Sequence, residues 1–403
     1  MIQVAILGFG VVGSGVLEII NEHAEHFSGK TGGKLNVKYI LDIRDFSAHP
    51  MASLFTNDFD TILNDPEVSI VAEVIGGVEP AYTYTKKALL AGKNVVTSNK
   101  ELVAKKGTEL LKIAKDNGVS YMFEASVGGG IPIIRPLNQC LAANTINEVM
   151  GILNGTTNYI LTSMFKKGKS FETALKTAQE LGYAERNPEA DVEGIDACRK
   201  VAILASLITG KEINPDKIYT EGITKITLED VKAAEKMGYV IKLIGYIQMC
   251  ENRLFARVSP VLVPNNNPLA VVEDVFNGIL VVGDSTGEVM FYGKGAGKRP
   301  TASAVVADMI DIAENKPEGK FMWVENTDND FMMDISESSS QFFVRVKDVS
   351  EEAAEKIFGK IIVSKSDEFE MAFITSEMNE KEFEEKKKLL GYGNILSCIR
   401  VHR

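Results

Sequence analysis

Histidine is scarce in this 403-residue chain: its four copies are His23, His26, His49 and His402. None lies between residues 50 and 401, so a reaction centre in the middle of the chain must move its proton through another side chain. The four cysteines are scattered and form no Cys-x-x-Cys pair. This argues against a structural zinc site or a disulfide framework and favours a reduced, cytoplasmic protein.

The chain also lacks long apolar runs and a net positive charge. No uninterrupted apolar stretch approaches the ~20 residues that a membrane span requires, and no basic segment precedes the first apolar run at Ile2. The net charge of −11 argues against nucleic acid or an anionic membrane as the main partner, because both need a basic surface. These absences leave a globular protein of two or three domains that acts on a small molecule.

The first motif is a glycine-rich turn between a strand and a helix. An apolar strand is predicted at Ile2–Leu7, and an amphipathic helix begins at about Val11. Between them, Gly8 would make the tight turn, Gly10 would let a pyrophosphate approach the backbone, and Gly13 would allow the helix to pack closely on the strand. Phosphates would then rest on the helix N-terminus. The segment therefore predicts a bound dinucleotide.

A second predicted strand, Leu35–Leu41, ends in Asp42-Ile43-Arg44. An acid at this position hydrogen-bonds the ribose 2′-hydroxyl of NAD, whereas a nearby arginine accommodates the 2′-phosphate of NADP. The chain carries both residues, and either could equally be a solvated turn residue. The residues alone leave the choice between the two cofactors open.

Three further strands are predicted, and helices separate them. They are Val68–Ile75, Asn94–Thr97 and Val119–Ala125, with helices at Ala81–Ala91 and Glu101–Asn117. This alternation predicts a Rossmann-type, doubly wound parallel sheet, whose ligand lies at the carboxyl ends of the strands. Lys100 follows one of these ends and is a candidate neighbour of the nicotinamide, or else an ordinary lysine at a helix start.

After residue 145 the pattern changes to longer, partly alternating strands, typical of an antiparallel sheet with one wet face. We predict a second, α+β domain. The segment "NGTTNYIL" (154–161) leaves a strand and starts a helix, so Gly155 and Thr156 are candidates for binding a small polar ligand through backbone amides. The glycine run "SVGGGIPI" (126–133) exposes backbone carbonyls and amides to a cation or ligand.

The segment "YAERNPEADVEGIDACRK" (183–200) carries acids and a lysine directly before the apolar run "VAILASLI". If one helix spans residues 192–208, Asp196 and Lys200 lie four residues apart on one face, where they could form an ordinary exposed ion pair. A lysine at the edge of an apolar helix is instead partly desolvated and usable as a proton donor. In the absence of histidine, Lys200 is the best candidate for acid–base chemistry, with the acids holding a cationic group such as that of an amino acid.

Six motifs over roughly residues 2–312 resemble those of the homoserine dehydrogenases. They are GFGVVG (8–13), TSNKE (97–101), EASVGGGIPI (124–133), NGTTNYI (154–160), LGYAERNPEADVEGIDACRK (181–200) and GKGAGKRPTASAVVAD (293–308). The resemblance implies NAD(P)-dependent, reversible reduction of L-aspartate 4-semialdehyde to L-homoserine, in the biosynthesis of threonine, methionine and isoleucine. It also implies a homodimer or homotetramer.

The resemblance implies a role for each residue of the site. Lys200 is the catalytic proton donor and Lys100 a second active-site lysine. Arg44 meets the 2′-phosphate, which favours NADP, although Asp42 leaves NAD possible. The residues implied for the substrate are Glu185, Asp196, Asp191, Gly155 and Thr156. Those implied for the cofactor are Gly8, Phe9, Gly10, Val11, Val12, Gly13, Arg44, Ser98, Lys100, Gly182 and Gly297. Those implied for a monovalent cation, sodium, are Glu124, Val127, Gly129 and Ile131.

Residues 336–403 read as βαββαβ and resemble an ACT regulatory domain. The D-x-P-G turn that contacts the ligand in such domains is replaced by Asp348-Val349-Ser350-Glu351, which argues against an effector site; pairing between subunits is the structural alternative. The predicted domains are therefore residues 1–130 with a returning helix at about 300–318, residues 131–299, which also form the dimer contact, and residues 336–403.

Two other classes of protein remain as alternatives. A semialdehyde enzyme that forms a thioester would need an activated cysteine, and Cys198 is the only cysteine inside a motif. A non-enzymatic nucleotide sensor would keep the glycine turn but would have no use for Lys200 and its acids.

Overall fold

The computed structural model describes residues 1–314, 323–365 and 370–402. Within these, the chain forms two compact units. The first contains Met1–Ala143, Ala202–Pro215 and Gly293–Thr327, and the second contains Asn144–Val201, Asp216–Tyr292 and Asp328–Arg403. The domain boundaries predicted at residues 130, 299 and 336 stay predictions. Residues 315–318 of the predicted returning helix lie outside the described residues.

The first part of the chain alternates strands and helices. Its elements are β1 (Ile2–Leu7), α1 (Val11–Glu22), α2 (Ala24–Thr31), β2 (Leu35–Leu41), β3 (Phe55–Thr56), α3 (Phe59–Leu63), β4 (Val68–Glu73), α4 (Ala81–Leu90), β5 (Asn94–Thr97), α5 (Lys100–Asp116) and β6 (Tyr121–Met122). The strands form one parallel sheet in the order β3-β2-β1-β4-β5-β6. The strand order reverses between β1 and β4, which is where such sheets bind nucleotides.

The middle of the chain supplies longer strands. Its elements are β7 (Ile146–Ile152), α6 (Gly155–Lys167), α7 (Phe171–Glu180), α8 (Glu189–Val192), α9 (Ile195–Thr209), β8 (Tyr219–Thr220), α10 (Leu228–Lys236), β9 (Tyr239–Cys250), β10 (Arg253–Pro264), β11 (Phe276–Gly283), β12 (Gly287–Lys294) and α11 (Lys298–Glu314). Strands β7, β9, β10 and β11 pair antiparallel. Helix α11 packs on α1, where a Cβ added at Gly15 would lie 2.9 Å from the Lys298 carbonyl oxygen.

The tail has the predicted βαββαβ order. Its elements are β13 (Ser339–Lys347), α12 (Glu351–Phe358), β14 (Ile362–Lys365), β15 (Glu370–Ile374), the short β16 (Met378–Asn379), α13 (Glu380–Leu390) and β17 (Ile395–Val401). Its helices pack on the sheet through a core that includes stacked Phe342 and Phe383 rings, with centroids 3.7 Å apart. Asp348, at the altered turn, has φ +55°, in the left-handed region.

The tail strands extend the central sheet within the second unit. Strand β17 pairs in parallel with β10, with Val261 opposite Arg400 and Leu262 opposite Val401. The resulting order is β12-β11-β7-β9-β10-β17-β13-β15-β14. The predicted fold class, a Rossmann-type sheet followed by a largely antiparallel α+β part and a βαββαβ tail, is confirmed; the sequence did not predict that the last two share a sheet.

One predicted strand is shorter in the structure. The strand predicted at Val119–Ala125 is limited to Tyr121–Met122, because the chain turns into a 3₁₀ helix at Glu124–Ser126. Among the described residues, no helix has the length and apolar character to cross a membrane.

Candidate active site

The glycine turn follows β1 and precedes α1 in the first unit. Gly8 has φ +98°, and a Cβ at Gly13 would lie 2.0 Å from the Gly8 carbonyl oxygen. Both glycines are therefore required by the backbone itself. A Cβ at Gly10, in contrast, would meet no atom within 4 Å. Protein packing therefore does not require glycine at this position, and the open backbone leaves room for a ligand to approach.

Asp42 and Arg44 bind each other beside this turn. Arg44 Nε donates to Asp42 Oδ1 at 2.9 Å, and Arg44 Nη2 donates to Asp42 Oδ2 at 2.8 Å and to the Phe9 carbonyl at 2.9 Å. The Phe9 N–H also donates to Asp42 Oδ2, at 2.8 Å. Hydrogen bonds from Arg44 hold the pKa of Asp42 well below its usual range. The carboxylate thus stays ionised and is matched by a cation that is itself mostly exposed.

The ends of β4 and β5 are joined by a buried network. Thr97 Oγ1 donates to Glu73 Oε2 at 2.6 Å and accepts from the Asn99 N–H at 2.9 Å. Burial raises the pKa of Glu73. The Asn99 side chain caps α5, so the turn carrying Ser98 and the helix start at Lys100 are both fixed. Ser98 and Lys100 are half-buried there.

Glu124 organises the glycine run that follows β6. Its carboxylate accepts from three consecutive backbone N–H groups, those of Ile133, Ile134 and Arg135, at 2.7, 2.9 and 2.8 Å. The Glu124 N–H donates to Asp308 Oδ2 at 2.9 Å. Because both carboxylate oxygens of Glu124 already accept N–H groups, its side chain acts in this arrangement as a brace for the next helical turn.

The turn between Glu124 and Ile133 contains the other three residues predicted for a cation, which are Val127, Gly129 and Ile131. A Cβ at Gly128 would lie 2.3 Å from the Ile131 carbonyl oxygen, and one at Gly129 would lie 2.2 Å from that of Gly295. Backbone oxygens at a turn too tight for side chains suit a hard cation. Within residues 1–314, 323–365 and 370–402, no cluster of three or more His, Cys, Asp or Glu side chains could hold a metal. The residues therefore fit a monovalent cation held by carbonyls.

Asp308, on α11, makes this region sensitive to pH. Burial raises the pKa of Asp308 to about 8, against an ordinary value near 3.8. Between these values the folded chain binds more protons than the unfolded chain, so stability falls as the pH rises. We expect Asp308→Asn to remove this loss. Its free energy of unfolding should gain about 3–4 kcal/mol on the unaltered protein between pH 5 and pH 8, since each pH unit below a pKa near 8 contributes about 1.4 kcal/mol.

Denaturant titrations of both proteins across that pH range would measure the difference. Glu314→Gln, at an exposed position of the same helix, is the control. A constant gap between Asp308→Asn and the unaltered protein would contradict the prediction.

The second unit holds the other group of predicted residues, beginning at the end of β7. Asn154 caps α6: its Oδ1 accepts from the Thr157 N–H at 2.9 Å. A Cβ at Gly155 would lie 2.7 Å from the Val275 carbonyl oxygen, so that position admits only glycine. Thr156 Oγ1 donates to the Tyr183 carbonyl at 2.7 Å. The helix start and the loop after α7 are thereby tied together.

Lys200 is buried, with 6% of its surface exposed. Its Nζ donates to the Leu153 carbonyl at 2.6 Å and to Asp196 Oδ2 at 2.8 Å. Asn154 Nδ2 donates to the same Asp196 oxygen at 3.0 Å and to Asp191 Oδ1 at 2.7 Å. An exposed ion pair, the alternative that spacing alone allowed, is wrong: Asp196 is also buried. An ammonium, two carboxylates and an amide meet at the end of one strand.

The helix predicted through residues 192–208 starts at Ile195, and a break at Gly194 separates it from the short helix α8. Helix α8 ends at Val192 and α9 begins at Ile195, because Gly194 has φ +80°. A Cβ at Gly194 would lie 3.2 Å from Thr220 Cγ2 and from Val258 Cγ1. Asp191 and Asp196 therefore lie on different helices, and the break lets both face Asn154.

The remaining predicted positions lie on turns. Gly182, with φ +75°, follows α7, and Gly297, with φ +121°, precedes α11. Glu185 is exposed, outside the buried cluster, and its backbone carbonyl accepts from Gln179 Nε2 at 3.1 Å. Cys198 does not suit the thioester alternative, because burial raises the pKa of its thiol and a nucleophilic cysteine needs a lowered one.

The structure thus groups the predicted residues by unit. The glycine turn, Arg44, Ser98, Lys100, the carbonyl turn and Gly297 belong to the first, and Gly155, Thr156, Gly182, Glu185, Asp191, Asp196 and Lys200 belong to the second. Sequence reasoning missed Glu73, Asp308 and Asn154. Only Asn154 had a local signal, an Asn-Gly step between a strand and a helix.

Comparisons with known proteins show the family of the chain. Residues 132–310 match the family model "Homoserine dehydrogenase", and residues 8–124 match "Homoserine dehydrogenase, NAD binding domain". The chain is 44% identical over 319 residues to the homoserine dehydrogenase of Bacillus subtilis, covering 78% of this chain and 73% of that one.

Solved structures extend the similarity to the tail. A homoserine dehydrogenase from Thiobacillus denitrificans, 34% identical, superposes with a TM-score of 0.91 over 100% of this chain and 98% of that one. A hyperthermophilic archaeal homoserine dehydrogenase mutant in complex with NADPH, 30% identical, has a TM-score of 0.66 over 77% of this chain and 97% of that one.

Proposed function

The chain belongs to the homoserine dehydrogenase family, and we propose a role for each group of its site in the reaction of that family. It is an NAD(P)-dependent oxidoreductase that interconverts L-aspartate 4-semialdehyde and L-homoserine, in amino-acid biosynthesis. The observation that carries the proposal is the buried Lys200, whose Nζ lies 2.8 Å from Asp196 Oδ2. Without a histidine in this part of the chain, it is the proton carrier best supported by the geometry.

Lys200 donates a proton to the aldehyde oxygen as negative charge develops there, and takes it back in the oxidation direction. A bound reduced nicotinamide supplies the hydride that the aldehyde carbon receives. The Leu153 carbonyl and Asp196 hold the Lys200 ammonium in one orientation. Lys100, as a cation, stabilises the developing alkoxide.

The substrate's amino group is cationic and is held by carboxylates. We assign this contact to Asp196 and Glu185, with Asp191 supporting them. Gly155 and Thr156, at the start of α6, offer backbone amides to the substrate's carboxylate, as helix N-termini do. Glu185 is exposed on its loop, so this part of the site remains accessible to a small molecule.

We propose NADP as the preferred cofactor and Arg44 as the residue that binds its 2′-phosphate. Two observations support this. Arg44 is largely exposed next to the glycine turn, and the Asp42 carboxylate is already matched by it. We further assign a sodium ion to the backbone carbonyls of Glu124, Val127, Gly129 and Ile131. A homodimer or homotetramer and a cytoplasmic location stay predictions.

Arg44→Ala is expected to lower kcat/KM for NADP by about tenfold to a hundredfold, since a charge-assisted hydrogen bond contributes about 1.5–3 kcal/mol. For NAD we expect a change below about threefold, because a freed Asp42 can meet the ribose 2′-hydroxyl. Steady-state kinetics with both cofactors measure the ratio. Lys38→Ala, on the strand β2 that precedes Arg44 and paired with Asp65 and Glu67, is the control. An equal loss with both cofactors would mean that Arg44 only braces the turn.

The reaction itself is tested with pure protein, L-homoserine and either NADP or NAD at alkaline pH, in the presence of sodium. We expect reduced cofactor to accumulate, faster with NADP, and not to accumulate with L-serine. Folded protein that reduces neither cofactor would contradict the assignment and favour a nucleotide sensor. Adding L-threonine to the active assay then tests the tail for an effector site.

A further inference from the structure

We propose that Asn154 is a positioning residue for the reaction: its side-chain amide holds Asp191 and Asp196 where they can act on the substrate and on Lys200. This inference rests on the roles proposed above for Asp196 and Lys200. The helix start that contains Asn154 was predicted to bind ligand through its backbone. The side chain performs a separate task, directed toward the acids.

The orientation of the amide is determined by its oxygen. Oδ1 of Asn154 accepts from the Thr157 N–H at 2.9 Å and from Thr157 Oγ1 at 3.1 Å, at the N-cap of α6. A flipped amide would place two N–H groups against that N–H donor, so the flip is excluded. Nδ2 must therefore point to the opposite side, toward the carboxylates. The residue is 5% exposed, so water does not substitute readily for either contact.

The two N–H groups of Nδ2 serve two carboxylates on two helices. One contacts Asp191 Oδ1 at 2.7 Å, on α8, and the other contacts Asp196 Oδ2 at 3.0 Å, on α9. These helices are separated by the break at Gly194, so no continuous helix fixes one acid relative to the other. The amide of Asn154 spans the break. Its two N–H groups also donate hydrogen bonds to two carboxylates of like charge, which offsets part of the repulsion between them.

The same strand end also holds the lysine. Asp196 Oδ2 accepts from both Asn154 Nδ2 and Lys200 Nζ, while the adjacent Leu153 carbonyl accepts from Lys200 Nζ. The dipeptide Leu153-Asn154 therefore contacts every charged group of the buried cluster. Losing the amide removes one of the contacts that orient Asp196, and with it part of what positions the oxygen to which Nζ donates.

Two substitutions separate this task from helix capping. Asn154→Ser keeps an N-cap oxygen but is too short to span the acids. We expect a fall in kcat/KM for homoserine of about tenfold to a hundredfold, with the KM for NADP little changed. Asn154→Asp keeps the cap and the shape but turns the donor into a third carboxylate facing Asp191, Asp196 and Lys200. A proton on the introduced group restores one donor, so this variant should recover activity, relative to the unaltered protein, as the pH falls.

The experiment compares pH profiles of kcat/KM for homoserine, in the direction of homoserine oxidation, for the whole chain and the two variants. Asn379→Ser is the matched control, because Asn379 caps α13 in the tail by the same geometry. The inference is overturned if Asn154→Ser keeps full activity, or if Asn154→Asp loses the same factor at every pH. If the unaltered protein is itself inactive with both cofactors, the proposed function fails, and that outcome is distinct from the other two.

Discussion

Replacing Lys200 with alanine is expected to lower kcat by about 10²–10⁴-fold, the usual contribution of a positioned acid–base group. The side chain is buried, and its Nζ is fixed by the Leu153 carbonyl and Asp196, so its removal takes away a proton carrier held in one place. Water could still deliver a proton, which is why some activity should remain. Rates of homoserine oxidation at saturating substrate and cofactor measure the effect.

Alanine also leaves the Asp196 carboxylate buried without its ammonium, which could disturb folding. Lys200→Arg is the second variant, because arginine keeps the positive charge but holds its proton too tightly to donate it. We expect a loss of similar size and an unchanged thermal unfolding midpoint. Lys105→Ala, which removes an exposed lysine paired with Glu101, should leave the rate unchanged. Near-normal turnover in Lys200→Arg would exclude Lys200 as the proton donor.

The location of Lys200 shows how far local sequence predicts a site. The four-residue spacing from Asp196 and the apolar run after it predicted a partly buried pair, and both residues are buried. The break at Gly194 was not predicted, because one glycine within a helical pattern is often tolerated. Lys200 contacts Leu153, 47 residues away, and Asp196 contacts Asn154, 42 residues away. No local pattern carries such contacts, since folding alone brings the strand end to the helix.

The fold shows the same division between local patterns, which could be predicted, and long-range contacts, which could not. Apolar strands alternating with helices specified the parallel sheet, because hydrophobic periodicity is a local property. Trp323, which had suggested nothing in the sequence, donates from Nε1 to Thr108 Oγ1 at 3.0 Å. A Cβ at Gly107 would lie 2.6 Å from the Trp323 ring, so only glycine at this position of α5 leaves room for the ring. The parallel pairing of β17 with β10 also joins segments that are distant in sequence.

A second large effect is expected where the tail meets the central part of the second unit. Arg345, on β13, donates from Nε to Asp230 Oδ1 at 2.8 Å, and both side chains are buried. Ser397 Oγ donates to the same oxygen, while Oδ2 of Asp230 belongs to the capping box of α10. Arg345→Met should lower the free energy of unfolding by about 3–5 kcal/mol, because it leaves a buried carboxylate without its cation.

Chemical denaturation followed by circular dichroism would measure this loss. The fluorescence of Trp323 is less suitable, because its contact with Thr108 reports on the first unit. Arg253→Met is the matched control: Arg253 lies on β10 and pairs with Glu337 and Asp330, but it is about one-third exposed. We expect a loss of about 0–1 kcal/mol there, since water screens such pairs.

Adding Asp230→Asn to Arg345→Met distinguishes an unpaired charge from lost packing. The amide oxygen of asparagine can still accept the Thr227 N–H of the capping box, and the buried carboxylate is gone. Glu370, the second carboxylate that Arg345 contacts, is about one-third exposed and so contributes little. If the unpaired charge causes the instability, the double variant should regain most of the 3–5 kcal/mol or so. Equal instability of the single and double variants would instead assign the loss to packing of the Arg345 side chain. The tail would then be held to the central part by shape and strand pairing, and not by this ion pair.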